Sequence, residues 1–410
     1  MKLISRLFAA TALIAASTAS ASATDLEVMH WWTSGSEAAA VGELAKAFDA
    51  TGNKWVDAAI AGGDPARAVM VSRLTGGDPM GAFQFNHGRQ AEELIEAGLL
   101  RDITDIAEAE GWKDIITPSS LLDACTVDGR IYCAPVNIHS WQWLWLSHKA
   151  YADAGIDVPA NWDEFVASAP KLVEAGKLPL ALGQQGWQQN GLFGVLFAAL
   201  VPNETFMSVY SDKDAKVAAG PEVARVFKAA NDARSLAAKS TVQNWNDATN
   251  LVITGKAGGQ IMGDWAQGEF AGAKQIAGKD YSCLPGLGVT ELLSTGGDAF
   301  YFPVLKDEAQ TAAQSELAAL MLKPATQVSF NLKKGSLPVR GDIDLSSANA
   351  CMQKGLALLA DGALLPDLDQ LITPDTSEQM KTLFIEFFAD PSITVEDAQA
   401  RFAKIIEAAE

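Results

Sequence analysis

The spacing of hydrophobic residues changes repeatedly along residues 24–101. Short apolar runs at residues 26–31, 55–61 and 82–85 have the length of buried strands, and each precedes a segment with apolar residues at helical spacing. In the first such segment, residues 37–48, apolar side chains recur every three or four positions. Strands that alternate with helices in this way predict an α/β domain with a parallel sheet.

A second region of the same kind follows. A hairpin is predicted at residues 128–135, and further strands at residues 141–146, 178–182 and 259–262, with helical spacing between them. The tail at residues 377–410 is mostly helical in pattern. A chain of 410 residues is long enough for two domains, each with its own core.

Residues 1–23 have the pattern of a cleaved secretion signal. Lys2 and Arg6 form the positive end, residues 7–16 are apolar, and an Ala-x-Ala site ends at Ala23. The apolar run is too short to span a membrane, whose hydrocarbon core is about 30 Å thick. No cysteine follows the signal to carry a lipid, so we expect a soluble periplasmic protein.

The charge and the absence of catalytic motifs narrow the class of function. Acidic residues outnumber basic ones by 50 to 31, for a formal net charge of −19, which argues against nucleic-acid binding. The sequence contains no P-loop and no nucleophile-elbow, zinc-protease or dinucleotide-binding motif. We therefore predict a protein with no catalytic residue, metal or cofactor. An exported glycosidase, which needs only two carboxylates, stays open as an alternative.

The four cysteines predict disulfide bonds, because exported proteins meet an oxidising compartment. Cys125 and Cys133 flank a Val-Asp-Gly-Arg turn, and we expect them to pair. A two-residue turn would place Cys125 opposite Tyr132, so an odd-length loop or a bulge is needed. Cys283 and Cys351 would then form the second pair, and free buried thiols are the alternative.

Aromatic and amide side chains follow the predicted strands. Trp31 and Trp32 are adjacent where the first strand ends, and beyond a strand end both indoles could border one cleft, although one of them could also be a core residue. Gln84 and His87 end the third strand, at the edge where open α/β sheets bind ligands. A pyranose has a flat C–H face that packs on an indole and hydroxyls that need fixed partners. This pattern predicts a receptor for a small sugar.

Four segments carry a resemblance to a known family. They are Trp-Trp-Thr-Ser-Gly-Ser-Glu at 31–37, Ala-Phe-Gln-Phe-Asn-His-Gly at 82–88, Gly-Arg-Ile-Tyr-Cys-Ala-Pro-Val-Asn-Ile-His at 129–139 and Phe-Asn-Leu-Lys-Lys-Gly-Ser-Leu-Pro-Val-Arg at 330–340. In this order they resemble the glucose/mannose type of periplasmic solute-binding protein of carbohydrate ABC transporters. The resemblance extends over nearly the whole chain after the signal.

The resemblance implies a two-lobed α/β fold, the type II periplasmic-binding-protein fold, with the ligand in the cleft between the lobes. Residues 24–139 plus 286–335 are expected to form the N-terminal lobe, and residues 140–285 plus 336–410 the C-terminal lobe. Three hinge crossings are expected, near residues 139–140, 284–286 and 335–338. The implied partners are a monosaccharide and the membrane permease subunits of an ABC importer, and the expected state is a monomer.

The candidate ligand-binding residues are aromatic, amide and charged side chains at strand ends and in the matching segments. They are Trp31, Trp32, Glu37, Gln84, His87, Asn137, His139, Gln185, Trp187, Trp245, Trp265, Asp298 and Lys334. Lys333 is the alternative to Lys334 in register. In the loop at 183–189, Gly186 stands where the family usually has proline, which frees the backbone angle φ and leaves the placement of Gln185 and Trp187 open.

One departure from the family concerns the identity of the sugar. The family commonly has a histidine in the C-terminal third, but no histidine follows His148 in this chain. Asp367 or Asp369 is a candidate replacement, and loss of that subsite is the other reading. A hexose such as glucose is the first expectation, and a substituted sugar, a polyol or an oligosaccharide is the alternative.

Overall fold

The computed structural model describes residues 23–410. The predicted signal at residues 1–23 lies outside this range apart from its last residue. In the described part of the chain, no helix combines the length and the apolar character that a membrane crossing requires.

The strands form two main sheets and two short pairs. Their bounds are β1 (Asp25–His30), β2 (Lys54–Ala59), β3 (Ala82–Asn86), β4 (Thr126–Val127), β5 (Arg130–Ile131), β6 (Cys133–Pro135), β7 (Trp143–Ser147), β8 (Leu178–Leu180), β9 (Ala257–Met262), β10 (Tyr281–Pro285), β11 (Leu293–Ser294), β12 (Asp298–Tyr301) and β13 (Leu364–Leu365).

Helices surround both sheets, with short 3₁₀ turns at Arg89–Ala91 and Gly286–Gly288. Their bounds are α1 (Gly35–Asp49), α2 (Gly63–Thr75), α3 (Glu92–Glu96), α4 (Thr104–Ala109), α5 (Trp112–Ile115), α6 (Ser120–Asp123), α7 (His148–Ala154), α8 (Trp162–Glu174), α9 (Gly186–Leu200), α10 (Asn203–Tyr210), α11 (Ala215–Ala218), α12 (Pro221–Ala237), α13 (Trp245–Ile253), α14 (Ala266–Gly272), α15 (Glu308–Met321), α16 (Pro324–Lys334), α17 (Ala350–Asp361), α18 (Leu368–Leu371), α19 (Pro374–Ala389) and α20 (Val395–Ala408).

The first sheet has the order β2-β1-β3-β12-β6. β1 pairs in parallel with β2 and β3, as predicted, but β12 runs antiparallel to β3 and β6. The parallel pairing predicted from residues 24–101 is therefore confirmed, and the complete sheet is mixed because β6 and β12 join it from later in the chain. Parallel neighbours are joined by a crossover connection, usually a helix, as β1, β2 and β3 are. β6 and β12 have no such connection within this lobe, because the chain between them forms most of the second lobe.

The second sheet has the order β10-β7-β9-β8 and is also mixed. β7 is antiparallel to β9 and β10, and only β8 and β9 are parallel. One large core packs against this sheet through α8, α9, α12, α19 and α20, with Phe193 stacked on Phe384 at a ring distance of 4.1 Å. The first sheet has a core of its own on its two faces, with Trp32 and Phe330 on one and Phe83 and Tyr301 on the other. Each sheet thus has its own hydrophobic core, which accounts for two lobes.

The chain passes between the two cores three times, and packing indicates where. Ile138 packs in the first core and Trp143 in the second, which agrees with the first expected crossing. Leu292 packs in the second core and Leu293 in the first, and Leu358 still packs in the first core. We therefore propose lobe boundaries near residues 292–293 and 359–364, later than the sequence suggests.

Both expected cysteine pairs are disulfide-bonded, Cys125 to Cys133 and Cys283 to Cys351. The turn between β4 and β5 has two residues, and Tyr132 N–H donates to the Cys125 carbonyl, so the register is the one that separates the cysteines. The pairing works because β5 ends at Ile131 and the chain leaves the hairpin for the first sheet at Cys133. This break between β5 and β6 takes the place of the odd-length loop or bulge that the pairing of Cys125 with Cys133 was expected to need.

Candidate functional site

A cleft of about 390 Å³ lies between the two cores. The first core contributes the ends of β1 and β3 and the starts of α1 and α2, and the second contributes the starts of α9, α13 and α19. The ends of strands and the first turns of helices present unpaired backbone groups, so they are suited to holding polar ligands.

Most of the predicted ligand residues line this cleft. They are Trp31, Trp32, Glu37, His139, Gln185, Trp187, Trp245, Trp265, Asp298 and Lys334. Gln84, His87 and Asn137 are not among the lining residues. These three are fully buried, and the structure places them behind the cleft wall.

The two adjacent tryptophans separate as the chain leaves β1. Trp32 is 1% exposed and packs in the first core, 5.2 Å from Phe330 between ring centres, with only part of its surface at the cleft. Trp31 is half-buried, borders the cleft, and has the Arg67 guanidinium 5.6 Å from its ring centre. Trp31 is therefore the more open apolar surface of the pair.

A buried ion pair crosses the floor of the cleft. Lys334 Nζ donates to Glu37 Oε1 at 3.3 Å, and both side chains are more than nine-tenths buried. The same ammonium lies 5.6 Å from the ring centre of Trp32 and 5.5 Å from that of Trp265, so it contacts aromatic rings of both lobes. Lys333, the alternative in register, points instead to Glu43 and is half-exposed.

Asp298 is the most tightly fixed carboxylate of the site. Gln84 Nε2 donates to its Oδ1 at 2.6 Å, Asn137 Nδ2 donates to its Oδ2 at 2.8 Å, and His139 Nδ1 lies 3.2 Å from Oδ2. Burial on its own would raise the pKa of Asp298, but the His139 imidazolium and these hydrogen bonds hold it below its ordinary value. Asp298 also raises the pKa of His139 against the opposing effect of burial.

The three buried residues behind the wall contact other side chains of the site. Gln84 and Asn137 orient Asp298, and Gln84 Oε1 also accepts the Trp31 backbone N–H. His87 lies against Gln370, and burial is the main reason that its pKa falls to about 3. Direct ligand contact by Gln84, His87 and Asn137 stays a prediction, since Gln84 and Asn137 point to Asp298 and His87 points to Gln370 in this structure.

The second lobe supplies a connected group of indoles. The ring centre of Trp141 lies 4.9 Å from that of Trp265 and 5.7 Å from that of Trp187, and Trp245 lies 6.4 Å from Trp265. Trp187 Nε1 donates to Gln185 Oε1. The sequence treats Trp141 only as the start of a strand, so its place in the cleft was missed.

Gly186 is the first residue of α9 and is not in a loop. Side chains of α19 pack close to its Cα. Its φ is not among the positive values of the chain, whereas an added Cβ would lie 2.4 Å from Ile385 Cδ1 and 3.0 Å from Lys381 Cγ. The positive φ values that glycine permits are therefore not used at this position. A larger residue here would need the Ile385 and Lys381 side chains of α19 to shift.

Asp367 and Asp369, the candidate replacements for the missing histidine, both line the cleft. Ser294 Oγ donates to Asp367, and Asn86 Nδ2 donates to Asp369 Oδ2 at 2.6 Å. Burial, and then the neighbouring Asp369 carboxylate, raise the pKa of Asp367 to about 6. In the structurally described range, no group of histidine, cysteine, aspartate and glutamate side chains is arranged to hold a metal ion.

Charged residues from α2 and α19 also line the cleft, and they contact one another. Asp64 Oδ2 lies 3.0 Å from Lys381 Nζ, and each partner also pairs within its own helix, with Arg67 and Glu378 respectively. Sequence reasoning missed this group, because only the pairs within each helix have a recognisable spacing.

Comparisons with known proteins identify the family. Residues 32–328 match the family of bacterial extracellular solute-binding proteins. A probable sugar-binding periplasmic protein of Rhizobium meliloti (strain 1021) is 36% identical over 357 residues, which cover 86% of this chain and 85% of that protein.

Two solved structures share the fold at 19% identity, each over 94% of this chain and 98% of the other. A chitin oligosaccharide binding protein superposes with a TM-score of 0.78. A bacterial solute receptor whose structure is described as revealing an exclusive preference for b-D-galactopyranose superposes with a TM-score of 0.77. These likenesses confirm the two-lobed type II fold. Since the family match covers most of the chain, this protein belongs to the bacterial extracellular solute-binding proteins, which are receptors and not enzymes.

Proposed function

We propose that this protein is a periplasmic receptor that binds a small sugar in the cleft and delivers it to an ABC importer. The observation that carries the proposal is the composition of one cleft. Indoles of both lobes, Trp31 and Trp265, border it together with the fixed carboxylate of Asp298 and the Glu37–Lys334 pair. The name of the Rhizobium relative, a probable sugar-binding periplasmic protein, supports the same class of ligand.

The chemistry of these side chains matches the two surfaces of a pyranose. An indole offers a flat apolar face to the C–H groups of the ring. Carboxylates accept hydrogen bonds from hydroxyls, and a lysine ammonium donates to them, with each charged hydrogen bond contributing about 1.5–3 kcal/mol. Asp298 is held by Gln84 and Asn137 before any ligand arrives, so little ordering is needed on binding.

The size of the cleft favours a small ligand. Ligand pockets span roughly 300–1,000 Å³, and this cleft, at about 390 Å³, is near the lower limit. A hexose such as glucose is the first candidate. Asp367 and Asp369 stand where the family has a histidine, so a hexose of different configuration, a substituted sugar or a polyol is the second.

Binding is coupled to closure of the two lobes. A ligand that touches both lobes favours the closed form by its greater affinity for that form. We infer that the closed monomer then docks on the permease subunits of the importer. A Kd in the micromolar range would correspond to about −8 kcal/mol.

Calorimetric titration of the purified protein tests the proposal, with glucose, mannose, galactose, xylose, a polyol and a disaccharide as ligands. One-to-one binding of one monosaccharide, with the sugar recovered unchanged by mass spectrometry, is the expected result. Tighter binding of the disaccharide or the polyol would identify that compound, and not a hexose, as the ligand. No heat with any of them would contradict the proposal of a small-sugar receptor.

A further inference from the structure

The contact between α2 and α19 is an ion pair between side chains of the two lobes. Asp64 belongs to a helix whose residues Ala66, Met70 and Leu74 pack in the first lobe. Lys381 belongs to a helix whose residues Met380 and Phe384 pack in the second. Their 3.0 Å contact therefore joins the two lobes directly.

Each partner is held in place from its own side. Arg67 pairs with Asp64 one turn along α2, and Glu378 pairs with Lys381 one turn along α19. The Lys381 side chain is 10% exposed, since its stem packs beside Gly186. When the lobes separate, both charges keep a partner, so opening leaves no buried charge without compensation. The pair can form and break repeatedly at low cost.

A second interlobe contact differs from this one in position. Ser36 Oγ donates to Glu269 Oε1 at 2.6 Å, beside Gly268, whose added Cβ would lie 2.8 Å from the Lys333 carbonyl. Backbones of the two lobes are nearly in contact there, so the space is too narrow for much relative motion. The Asp64–Lys381 contact is made instead by the ends of two side chains, Oδ2 and Nζ.

We propose that Asp64 and Lys381 form a latch that stabilises the closed form and so determines sugar affinity without selecting the sugar. This rests on the proposed function of the cleft. A contact made only in the closed form adds its free energy to every ligand that closes the lobes. The latch therefore slows dissociation of all bound sugars by the same factor and weakens as salt screens the pair.

A double-mutant cycle tests the latch. Asp64→Asn and Lys381→Met each remove one charge while keeping the approximate shape, and each leaves the other residue with its own-helix partner. We expect each variant to weaken sugar binding by about two- to fivefold at low salt. The double variant should bind no more weakly than either single variant, because the same contact is lost only once. The difference from wild type should shrink at about 0.5 M KCl.

Two further measurements separate the latch from other roles. Glu174→Gln changes the net charge as Asp64→Asn does but breaks an ion pair within α8, and it should leave affinity and its salt dependence unchanged. Solution scattering of the protein without sugar should give a larger radius of gyration for Asp64→Asn than for wild type.

The outcomes are distinct. Losses of affinity that add in the double variant would mean that Lys381 contacts the sugar directly, and they would overturn the latch. Equal affinities and equal radii in wild type and Asp64→Asn would overturn it as well. If wild type binds no sugar at all, the sugar proposal fails, and the radius of gyration alone decides on the latch.

Discussion

Replacement of Trp265 by alanine is the sharpest test of the aromatic side of the site. Trp265 is 7% exposed, and its ring lies 5.3 Å from that of His139 and 4.9 Å from that of Trp141. Lys334 Nζ lies 5.5 Å from its centre. The substitution removes an apolar surface for the sugar and one of the two aromatic partners of the buried ammonium.

The expected loss follows from area and charge. At 7% exposure, about 15–20 Å² of the Trp265 indole is open to a pyranose face. Burial of that area on both partners gains about 1 kcal/mol at roughly 25 cal/mol per Å². The ammonium–indole contact is of the order of 0.5–2 kcal/mol, and only the part that orients Lys334 toward the ligand counts for binding. A total of about 2 kcal/mol corresponds to roughly thirtyfold weaker binding, and tenfold is the lower limit.

Truncation of a buried tryptophan also costs stability, about 3–5 kcal/mol, so affinity needs a matched control. Trp162 is 3% exposed, packs in the second lobe 5.6 Å from Phe165, and does not line the cleft. Trp162→Ala should lower the melting temperature to a similar extent and leave the sugar isotherm unchanged. The reasoning is refuted if Trp265→Ala binds as wild type does, or if Trp162→Ala loses affinity equally.

Three further predictions concern charge, pH and the disulfides. Asp298→Asn should weaken sugar binding at least tenfold in calorimetry, because it removes the charge and replaces one of the two oxygens that accept from Gln84 and Asn137 by a donor; wild-type affinity would refute the assigned role. The pKa of Asp367 rises from about 3.9 in the unfolded chain to about 6 in the fold. Burial of its carboxylate therefore lowers stability as pH rises through about 4 to 6, and Asp367→Asn should be more stable than wild type above pH 6 but not below pH 4 in urea unfolding. Loss of a disulfide should cost about 2–3 kcal/mol for the separation of 8 residues and about 4 kcal/mol for that of 68. Thermal unfolding of serine variants checks this order, and four free thiols in the denatured, unreduced protein would contradict both bonds.

Local signals in the sequence predict the elements of the first lobe well. Helix α1 begins after Ser34, whose side chain forms a capping box with Glu37, and this signal lies within a few residues. Helix α9 was missed for the opposite reason. It is buried on several sides, with Gln188, Leu192, Phe193 and Val195 all inside, so it has no apolar stripe at helical spacing. Its polar first turn resembles a loop.

The candidate site, like the fold, could be predicted from the sequence only in part. The type of residue predicts which side chains suit a sugar, and most of these line the cleft. The direction of a side chain depends on the tertiary structure, and so Gln84 and Asn137, with suitable chemistry, point to Asp298 and not to the cleft. The Asp64–Lys381 contact depends on how two lobes meet, which no local pattern of the chain records.

The arrangement around Asp298 has a consequence for how mutations in this site are interpreted. Gln84, Asn137 and His139 come from β3 and from the first passage between the lobes, and all three converge on one carboxylate. Removal of any of them changes the position or the charge state of Asp298, and therefore sugar affinity, whether or not that residue touches the ligand. Loss of affinity alone thus does not identify a contact residue here. A supporting residue such as Asn137 should couple to Asp298 in a double-mutant cycle. A change confined to the Trp31 side chain should contribute independently, because only the Trp31 backbone N–H is linked to Asp298, through Gln84.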